Sequence, residues 1–376
     1  MNLICFSHLR WGFVFQRPQH LLSRLAGEFC VFYVEEPVYD SPADRMVLTL
    51  SKEKVWVAVP HLKGGAGEDT VQRQTALLNN MFSEFGIKEY IFWYYTPMAL
   101  PYTRNFRPKT VVYDCMDELS AFKFAPPELV ALEDELFKKA DIVFTGGVSL
   151  YEAKKHRHDN IHAFPSSIDK RHFDRARQLT DDPEDQQQIP HPRLGFFGVL
   201  DERFDIGLID RVSTMRPDWQ FVLIGPVVKI DPATLPARKN IHYLGGKSYD
   251  ELPSYIAGWD IAMIPFALNE STRFISPTKT PEYLAAGKPV ISTAIRDVVH
   301  PYGTRRLVHI INNAAEFVEA AEKELNSPDK RAWLREADDF LAGNSWDMTC
   351  FDMLKYVKQQ LKKTNHSIKS REVQHV

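Results

Sequence analysis

The chain has 376 residues, a length that favours two domains over one hydrophobic core. Hydrophobic residues make up 44% and charged residues 25%, as in ordinary globular proteins, and the formal net charge is -3. This charge argues against a nucleic-acid partner, because such partners select basic surfaces, and we find neither zinc-ligand spacing nor a nucleic-acid recognition module.

The cysteines and the apolar segments indicate a cellular compartment. The 4 cysteines are scattered with no CxxC pair, which indicates reduced thiols and neither a disulfide framework nor a metal site. No apolar stretch is long enough to span a bilayer, and Arg10 interrupts the run that an N-terminal signal peptide would need. We therefore expect a cytoplasmic protein, and peripheral contact with the inner face of a membrane stays open.

The first half of the sequence alternates apolar runs with helical patterns, which is typical of a parallel α/β domain. Residues 3–6 predict a strand and residues 19–26 a helix, and Gly12 in the loop between them allows close approach of a ligand to the backbone. Polar and aromatic side chains around this loop are candidates for an acceptor or phosphate surface, namely His8, Arg10, Trp11 and Arg17. The alternative for the arginines is a structural role at the helix start.

A polar segment divides the chain. Residues 180–192 are rich in Asp and Gln and bounded by prolines, which predicts a surface linker. The α/β pattern begins again at residue 194, so we predict one domain over residues 1–178 and a second over residues 190–344. A closing helix is predicted over residues 345–363 from its apolar stripe.

The stretch 276–293, SPTKTPEYLAAGKPVIST, combines a helix start, a helix stop and a buried strand. Unpaired N–H groups at the helix start, together with Lys279, predict a phosphate-binding site. Glu282, one turn further, can accept hydrogen bonds from sugar hydroxyls beside the phosphate. The alternatives are a solvated lysine and a carboxylate that favours the helix dipole.

Several segments together resemble a known family. Residues 243–266, YLGGKSYDELPSYIAGWDIAMIPF, followed by the stretch 276–293, resemble the donor half of GT-B glycosyltransferases of the GT4 kind. Residues 164–169, with Phe173, are similar to the PNGVD...F segment of that family, and residues 197–200 to its glycine-containing loop. Residues 11–20 are similar to the WxxxxQRPQH stretch of a bacterial subgroup.

The resemblance implies a fold and an activity. The fold would be α/β of the GT-B type, with two Rossmann-like domains facing across a cleft and the C-terminal helix crossing back onto the first domain. The activity would be transfer of a sugar from a nucleoside diphosphate sugar to a saccharide or lipid-linked acceptor, with retention at the anomeric carbon, in making a surface polysaccharide. Neither a metal nor another cofactor is expected.

The resemblance also implies roles for particular residues. Asp117 is the preferred catalytic residue and Asp114 the alternative; the structural alternatives are a loop cap for Asp117 and a buried partner that orders the loop for Asp114. Glu282 would bind ribose. The diphosphate would be bound by Gly12, Arg203, Ser276, Pro277, Thr278 and Lys279, and the base would lie near Gly225, Tyr243 and Leu244. For Arg203, pairing with neighbouring carboxylates is the alternative.

The sequence departs from the family at one position. Members carry two glutamates in an E-x7-E arrangement, and Phe274 stands where the first would be. Glu270, Asn269 or the backbone near Phe274 are candidates to replace it. A nucleotide-sugar epimerase, a phosphorylase and a non-catalytic nucleotide-sugar-binding scaffold remain alternatives. The sequence does not predict which nucleotide and sugar form the donor, which molecule is the acceptor, or the oligomeric state.

Overall fold

A computed structural model describes residues 1–327 and 329–373, and the side chains of these residues up to residue 364. Its strands form two separate sheets, one from each half of the chain. This confirms the predicted α/β class with two Rossmann-like domains. We call the first sheet with its helices the first domain and the second sheet with its helices the second domain.

The first sheet is parallel except for one antiparallel strand, β4, which pairs with β5. Its order is β3-β5-β2-β1-β6-β7-β8-β9. The strands are β1 (Asn2–Phe6), β2 (Cys30–Val34), β3 (Val38–Ser41), β4 (Arg45–Leu50), β5 (Trp56–Lys63), β6 (Tyr90–Tyr94), β7 (Thr110–Cys115), β8 (Ile142–Thr145) and β9 (Ile161–Ala163).

The second sheet is parallel throughout, in the order β12-β11-β10-β13-β14-β15. Its strands are β10 (Arg193–Phe197), β11 (Gln220–Ile224), β12 (Ile241–Gly245), β13 (Ile261–Ile264), β14 (Val290–Thr293) and β15 (His309–Ile311). Its interior strands are almost wholly apolar, as expected for a sheet covered by helices on both faces.

Helices connect the strands on both sheets. In chain order they are α1 (Arg17–Leu25), α2 (Thr70–Glu84), α3 (Leu100–Thr103), α4 (Leu129–Lys139), α5 (Val148–Lys154), α6 (Lys170–Asp174), α7 (Ile206–Met215), α8 (Leu252–Ala257), α9 (Lys279–Ala285), α10 (Arg296–Val298), α11 (Ala314–Leu325), α12 (Arg331–Leu341) and α13 (Trp346–Val373). None of the helices in the described ranges is both long and apolar enough to traverse a bilayer.

The strand orders explain where a ligand can bind. In the first sheet the order reverses between β1 and β6, and in the second between β10 and β13. Loops diverge at such a point and leave a crevice at the carboxyl ends of the strands. Each domain therefore has one crevice that its own topology creates.

The last helix belongs to the first domain although it follows the second. The buried side chains of α13, from Trp346 to Leu361, pack against the core of the first sheet, and the Trp346 N–H donates to the Ile168 carbonyl at 3.1 Å. This confirms the predicted crossing of the C-terminal helix.

The segment before the predicted linker also packs in a way the sequence did not show. Ile168, Phe173 and Ala176 belong to the core of the second sheet, so contacts with that domain begin upstream of residues 180–192. The division at residues 178 and 190 stays a prediction.

Candidate functional site

A cleft of about 1110 Å³ lies between the domains and is lined by residues of both. The loops after β1, β6 and β7 form its first-domain side. The loops after β10, β11 and β12 and the start of α9 form its second-domain side. These loops include those at both topological switch points, so the two crevices form one cavity.

Two glycines shape the second-domain side around Lys279. Gly198 has φ +141°, and a Cβ there would lie 2.4 Å from Lys279 Cε and 2.7 Å from Nζ. Gly225 has φ +143°, and a Cβ there would lie 1.9 Å from the Gly198 carbonyl oxygen. Because neither glycine carries a side chain, the two loops can approach each other and Lys279 has room to place its ammonium in the cleft.

The ammonium of Lys279 lies in an aromatic environment. It is 5.6, 5.7 and 5.8 Å from the ring centroids of Phe196, Phe197 and Phe266. Burial lowers the pKa of Lys279, although the nearby Glu282 carboxylate acts in the opposite direction. A cation held out of water in this way gains from an incoming anion.

Glu282 and Tyr249 carry buried polar atoms beside this cation. Within the described residues, Glu282 Oε2 and the Tyr249 hydroxyl have no hydrogen-bond partner. Burial raises the pKa of Glu282, and burial followed by the charge of Glu282 raises the pKa of Tyr249. Both residues line the cleft, so a ligand hydroxyl is a suitable partner for these atoms.

Arg203 has a defined partner on the same side. Its Nε and Nη2 donate to the Asp201 carboxylate at 2.9 and 2.6 Å. Arg203 therefore makes the carboxylate pair that the sequence offered as the alternative to phosphate binding. Its guanidinium also lies 5.4 Å from the ring centroid of Phe122 in the first domain. Lys229 lies 5.3 Å from the same ring.

The first-domain side is built around the loop after β1. Glu35 is 6% exposed and fixes this loop, because it accepts hydrogen bonds from the Trp11 N–H at 2.7 Å and from Arg10 Nη1 at 2.9 Å. His8, Trp11 and Gly12 line the cleft. Arg10 instead lies behind the loop, paired with Glu35.

His8 and Asp117 are titratable groups of the first-domain side. Burial, followed by the charge of Lys229, lowers the pKa of His8 to about 4, so the ring is neutral at pH 7. His8 Nδ1 has no partner among the described residues. Burial raises the pKa of Asp117 to about 6 against the opposing charges of Arg203 and Arg17. Asp117 lines the cleft, consistent with the predicted position.

Asp114 and Arg17 lie behind the cleft and bind each other. Asp114 is 0% exposed and Arg17 4%, and Arg17 Nη2 donates to Asp114 Oδ1 at 2.8 Å. Arg17 Nη1 also donates to the Phe164 carbonyl at 2.7 Å. This geometry favours the structural alternatives for both residues over a catalytic Asp114 and an acceptor-facing Arg17.

Only some residues of the predicted diphosphate-binding stretch line the cleft. Helix α9 begins at Lys279, and Thr278, Lys279 and Glu282 line the cleft. Ser276 instead faces the first domain, where its hydroxyl accepts from the Ser166 N–H at 3.3 Å and its carbonyl from the Ser166 hydroxyl. Pro277 lies between these two environments.

The predicted base region is divided in the same way. Gly225 lines the cleft. Tyr243 is 37% exposed and donates its hydroxyl to the Pro236 carbonyl, while Leu244 packs against the second core. In β12 these side chains alternate between the two faces of the sheet, and the residues that reach the cleft follow in the next loop, at 246–250.

The position of the missing glutamate has a structural role. Phe274 packs against the core of the first domain, so a side chain of the second domain anchors the interface there. Glu270 is 78% exposed and pairs with Arg273, and Asn269 caps its own turn. Within the part of the chain that the structure describes, neither Glu270 nor Asn269 lines the cleft.

Three functional candidates escaped the sequence reasoning: Tyr249, Phe122 and Glu35. Each owes its position to a residue far away in the chain, such as Trp11 for Glu35 and Arg203 for Phe122. The one sequence signal was local: Tyr249 follows the glycine pair at the end of β12.

Comparison with known proteins points to glycosyltransferases. The family model described as "Glycosyl transferases group 1" matches residues 191–327, which lie in the second domain. A curated protein of Bacillus subtilis (strain 168), "Putative teichuronic acid biosynthesis glycosyltransferase TuaH", is 22% identical over 269 residues. That match covers 65% of this chain and 66% of the relative, just under two thirds of its length.

Solved structures share the whole fold. A sucrose-phosphate synthase from Thermosynechococcus elongatus superimposes with a TM-score of 0.70 at 12% identity, over 96% of this chain and 99% of its own. Anabaena HepE, solved with UDP and glucose, gives 0.67 at 14% identity, over 95% and 99% of the two chains. The fold of this chain is therefore that of GT-B glycosyltransferases.

Proposed function

We propose that this protein is a glycosyltransferase that moves a sugar from a nucleoside diphosphate sugar to a saccharide or lipid-linked acceptor. One observation carries the proposal: Lys279, Arg203 and Lys229 line one side of a cleft whose other side comes from a separate domain. Three cations on one side suit a diphosphate, and the opposite side leaves room for a second substrate.

The cations would act on the leaving group. Negative charge develops on the diphosphate as the bond to the sugar breaks, and fixed positive groups in a partly enclosed cleft stabilise it. Arg203 gives Nε and Nη2 to Asp201, and Nη1 is left for a phosphate oxygen. Lys279 is held in place by the loops at Gly198 and Gly225.

The nucleoside would lie deeper on the same side. Glu282 Oε2 and the Tyr249 hydroxyl are buried polar atoms that ribose hydroxyls would satisfy. Gly225 and the loop at 246–250 would border the base. Gly12 would lie against the donor phosphates from the first domain, and Asp117 would contact the reacting acceptor hydroxyl.

The finer features rest on the resemblance described above. They are membership of the GT4 kind and its WxxxxQRPQH subgroup, and retention at the anomeric carbon without a metal or cofactor. The name of the Bacillus subtilis relative supports a role in a surface polysaccharide. Peripheral membrane contact stays a prediction.

The test is a screen of UDP-, GDP-, ADP- and TDP-sugars with saccharide and lipid-linked acceptors, read by mass spectrometry. Product that contains the donor sugar on an acceptor is expected. Epimerised donor would indicate an epimerase, phosphate-dependent release of a sugar phosphate a phosphorylase, and binding without turnover a scaffold.

A variant pair tests the diphosphate assignment directly. Lys279→Ala should weaken binding of the nucleoside diphosphate about ten-fold or more by removing a buried cation, while Lys155→Ala, an exposed lysine paired with Glu152 outside the cleft, should not. Isothermal titration and a thermal melt measure affinity and folding. Equal affinities for the two variants would refute the role of Lys279.

A further inference from the structure

The two sides of the cleft differ in chemistry. The second-domain side carries Lys279, Arg203 and Lys229, with their acidic neighbours. The first-domain side combines charged residues such as Glu36 and Lys52 with many aliphatic and aromatic side chains, among them Leu9, Val14, Met98, Leu119 and Leu129. The charged side suits the nucleotide, so the apolar side is the surface left for the acceptor.

Some polar groups on the apolar side are engaged within the protein, whereas His8 Nδ1 has no partner among the described residues. The Thr96 hydroxyl accepts from the Met98 N–H at 3.2 Å, and Glu53 accepts from Trp11 Nε1 at 3.4 Å. Lys123 Nζ donates to the Lys229 carbonyl at 3.3 Å. Away from His8 and Asp117, the hydroxyls of a bare saccharide would be desolvated where they lie against leucine, valine and methionine.

The mouth of this side exposes two phenylalanines. Phe13 is 51% exposed and Phe124 is 75% exposed, and both line the cleft. Phe124 also has φ +66°, a backbone conformation that residues other than glycine, asparagine and aspartate rarely adopt. A strained backbone that holds a large apolar ring in water is unfavourable for folding alone, and such residues cluster at binding sites.

We propose that the first-domain side of the cleft, from Leu9 and Val14 to Phe13 and Phe124 at its mouth, binds the hydrocarbon chain of a lipid-linked acceptor. This inference rests on the proposed function and chooses between its two acceptor classes. The chain contacts the apolar side chains, and the sugar end of the acceptor reaches the region between His8, Asp117 and the donor.

The experiment compares two probes that differ only in their hydrocarbon chain. Monomeric n-octyl glucoside and methyl glucoside are titrated into the full chain saturated with UDP. Burial of the longer chain should make octyl glucoside bind at least about ten-fold more tightly than methyl glucoside. Equal binding of the two glucosides would overturn the inference. The proposed function would still stand if the wild-type protein binds UDP and Lys279→Ala binds it more weakly.

Variants locate the site. Phe124→Gly removes the ring and suits the positive φ, so the protein should melt no lower than the wild type while the preference for the octyl chain falls. Phe351→Ala is the control. Phe351 is 60% exposed on α13 and is not among the cleft-lining residues, and alanine is used because glycine would destabilise the helix.

Phe351→Ala should leave the octyl preference unchanged. An equal loss in both variants would show unspecific apolar binding and overturn the inference. Flotation with phosphatidylcholine vesicles tests whether the mouth of the cleft contacts a membrane. Vesicle binding that depends on Phe124, without any preference for the octyl chain, would show such a contact and would also overturn the inference.

Discussion

The pair formed by Arg17 and Asp114 illustrates how a buried charge acts on stability. The two side chains are almost fully buried, and Arg17 also reaches the Phe164 carbonyl and, at 4.0 Å, Met353 Sδ of the C-terminal helix. The pair therefore ties α1, β7 and α13 together. Removing one partner leaves the other charge buried and unpaired, which is more costly than losing an exposed ion pair.

We expect Asp114→Ala to destabilise the fold by about 3–5 kcal/mol, measured by urea denaturation. Glu135→Ala is the matched control, because it breaks the ion pair with Arg104, whose side chain is 48% exposed, and should cost under about 1 kcal/mol. A stable Asp114→Ala protein that has lost turnover would instead restore a catalytic role for Asp114.

Asp117 should give the cleft a pH dependence. Its pKa of about 6 lies above that of an ordinary aspartate, so its stabilising effect is present below pH 4 and is lost as pH rises through about 6. If the carboxylate contacts the acceptor hydroxyl, kcat should rise over the same range. Measuring at saturating donor removes effects of Glu282 on donor binding.

Asp117→Asn should abolish that rise, lower kcat about 10²-fold and make the protein more stable at pH 7. The measurements are kcat and the thermal midpoint at pH 5–8. Nucleotide affinity should not fall, because the substitution removes a negative charge near Arg203. A pH profile that survives the substitution would exclude the proposed role.

The glycine loops after β10 and β11 show how elements position a functional side chain. Gly198 and Gly225 both have positive φ and approach each other so closely that a side chain on either would collide. The collisions differ in kind. At Gly225 the obstacle is backbone, whereas at Gly198 it is the flexible end of Lys279.

Because both glycines have positive φ, we expect Gly225→Ala and Gly198→Ala each to destabilise the fold by about 1–3 kcal/mol. Gly198→Ala should in addition weaken nucleotide binding by displacing the Lys279 ammonium. Thermal melts and UDP titration separate the two effects. Gly343→Ala is the control, because Gly343 lies outside the cleft and a Cβ there meets nothing within 4 Å. Equal behaviour of all three variants would contradict the loop geometry.

Elements with a strong local signal could be predicted from the sequence. Prolines, Gly287 and the apolar run after it predicted α9 and β14, and the structure has a helix that begins at Lys279 and a Gly287 with φ +73°. The short strands β3, β4, β9 and β15 were missed. Such strands carry little periodicity, and pairing with neighbours defines them.

Contacts between distant parts of the chain could not be predicted in the same way. The expected position of Lys279 and Glu282 in a binding site followed from the helix start in the stretch 276–293, and that of Asp117 from the resemblance to the GT-B family. The partners of Arg17 and Ser276 did not, because they lie 97 and 110 positions away and nothing in a local pattern encodes them. At these residues a phosphate-binding role and a structural role look alike in sequence.

At the scale of the whole molecule, the two domains touch through groups that also border the ligand. The Phe122 ring of the first domain lies 5.4 Å from the Arg203 guanidinium and 5.3 Å from the Lys229 ammonium of the second, and Phe15 stacks on Tyr249 with ring centroids 4.6 Å apart. Lys52 also reaches Asp250 at 3.6 Å. Because Arg203 is proposed to bind the diphosphate, donor binding and the contact between the domains depend on shared residues.

Phe122→Ala should weaken this contact between the domains without removing any donor-binding group. Each cation–π contact contributes about 0.5–1 kcal/mol, so losing both should lower kcat about ten-fold through poorer closure, while UDP affinity changes less than about three-fold. Phe122→Tyr keeps the ring and should restore kcat. Stopped-flow kinetics and UDP titration give the two values, and small-angle scattering with UDP should show a larger radius for the alanine variant. Loss of UDP affinity in parallel with kcat would mean that Phe122 positions Arg203 for the diphosphate, and domain closure would then need another explanation.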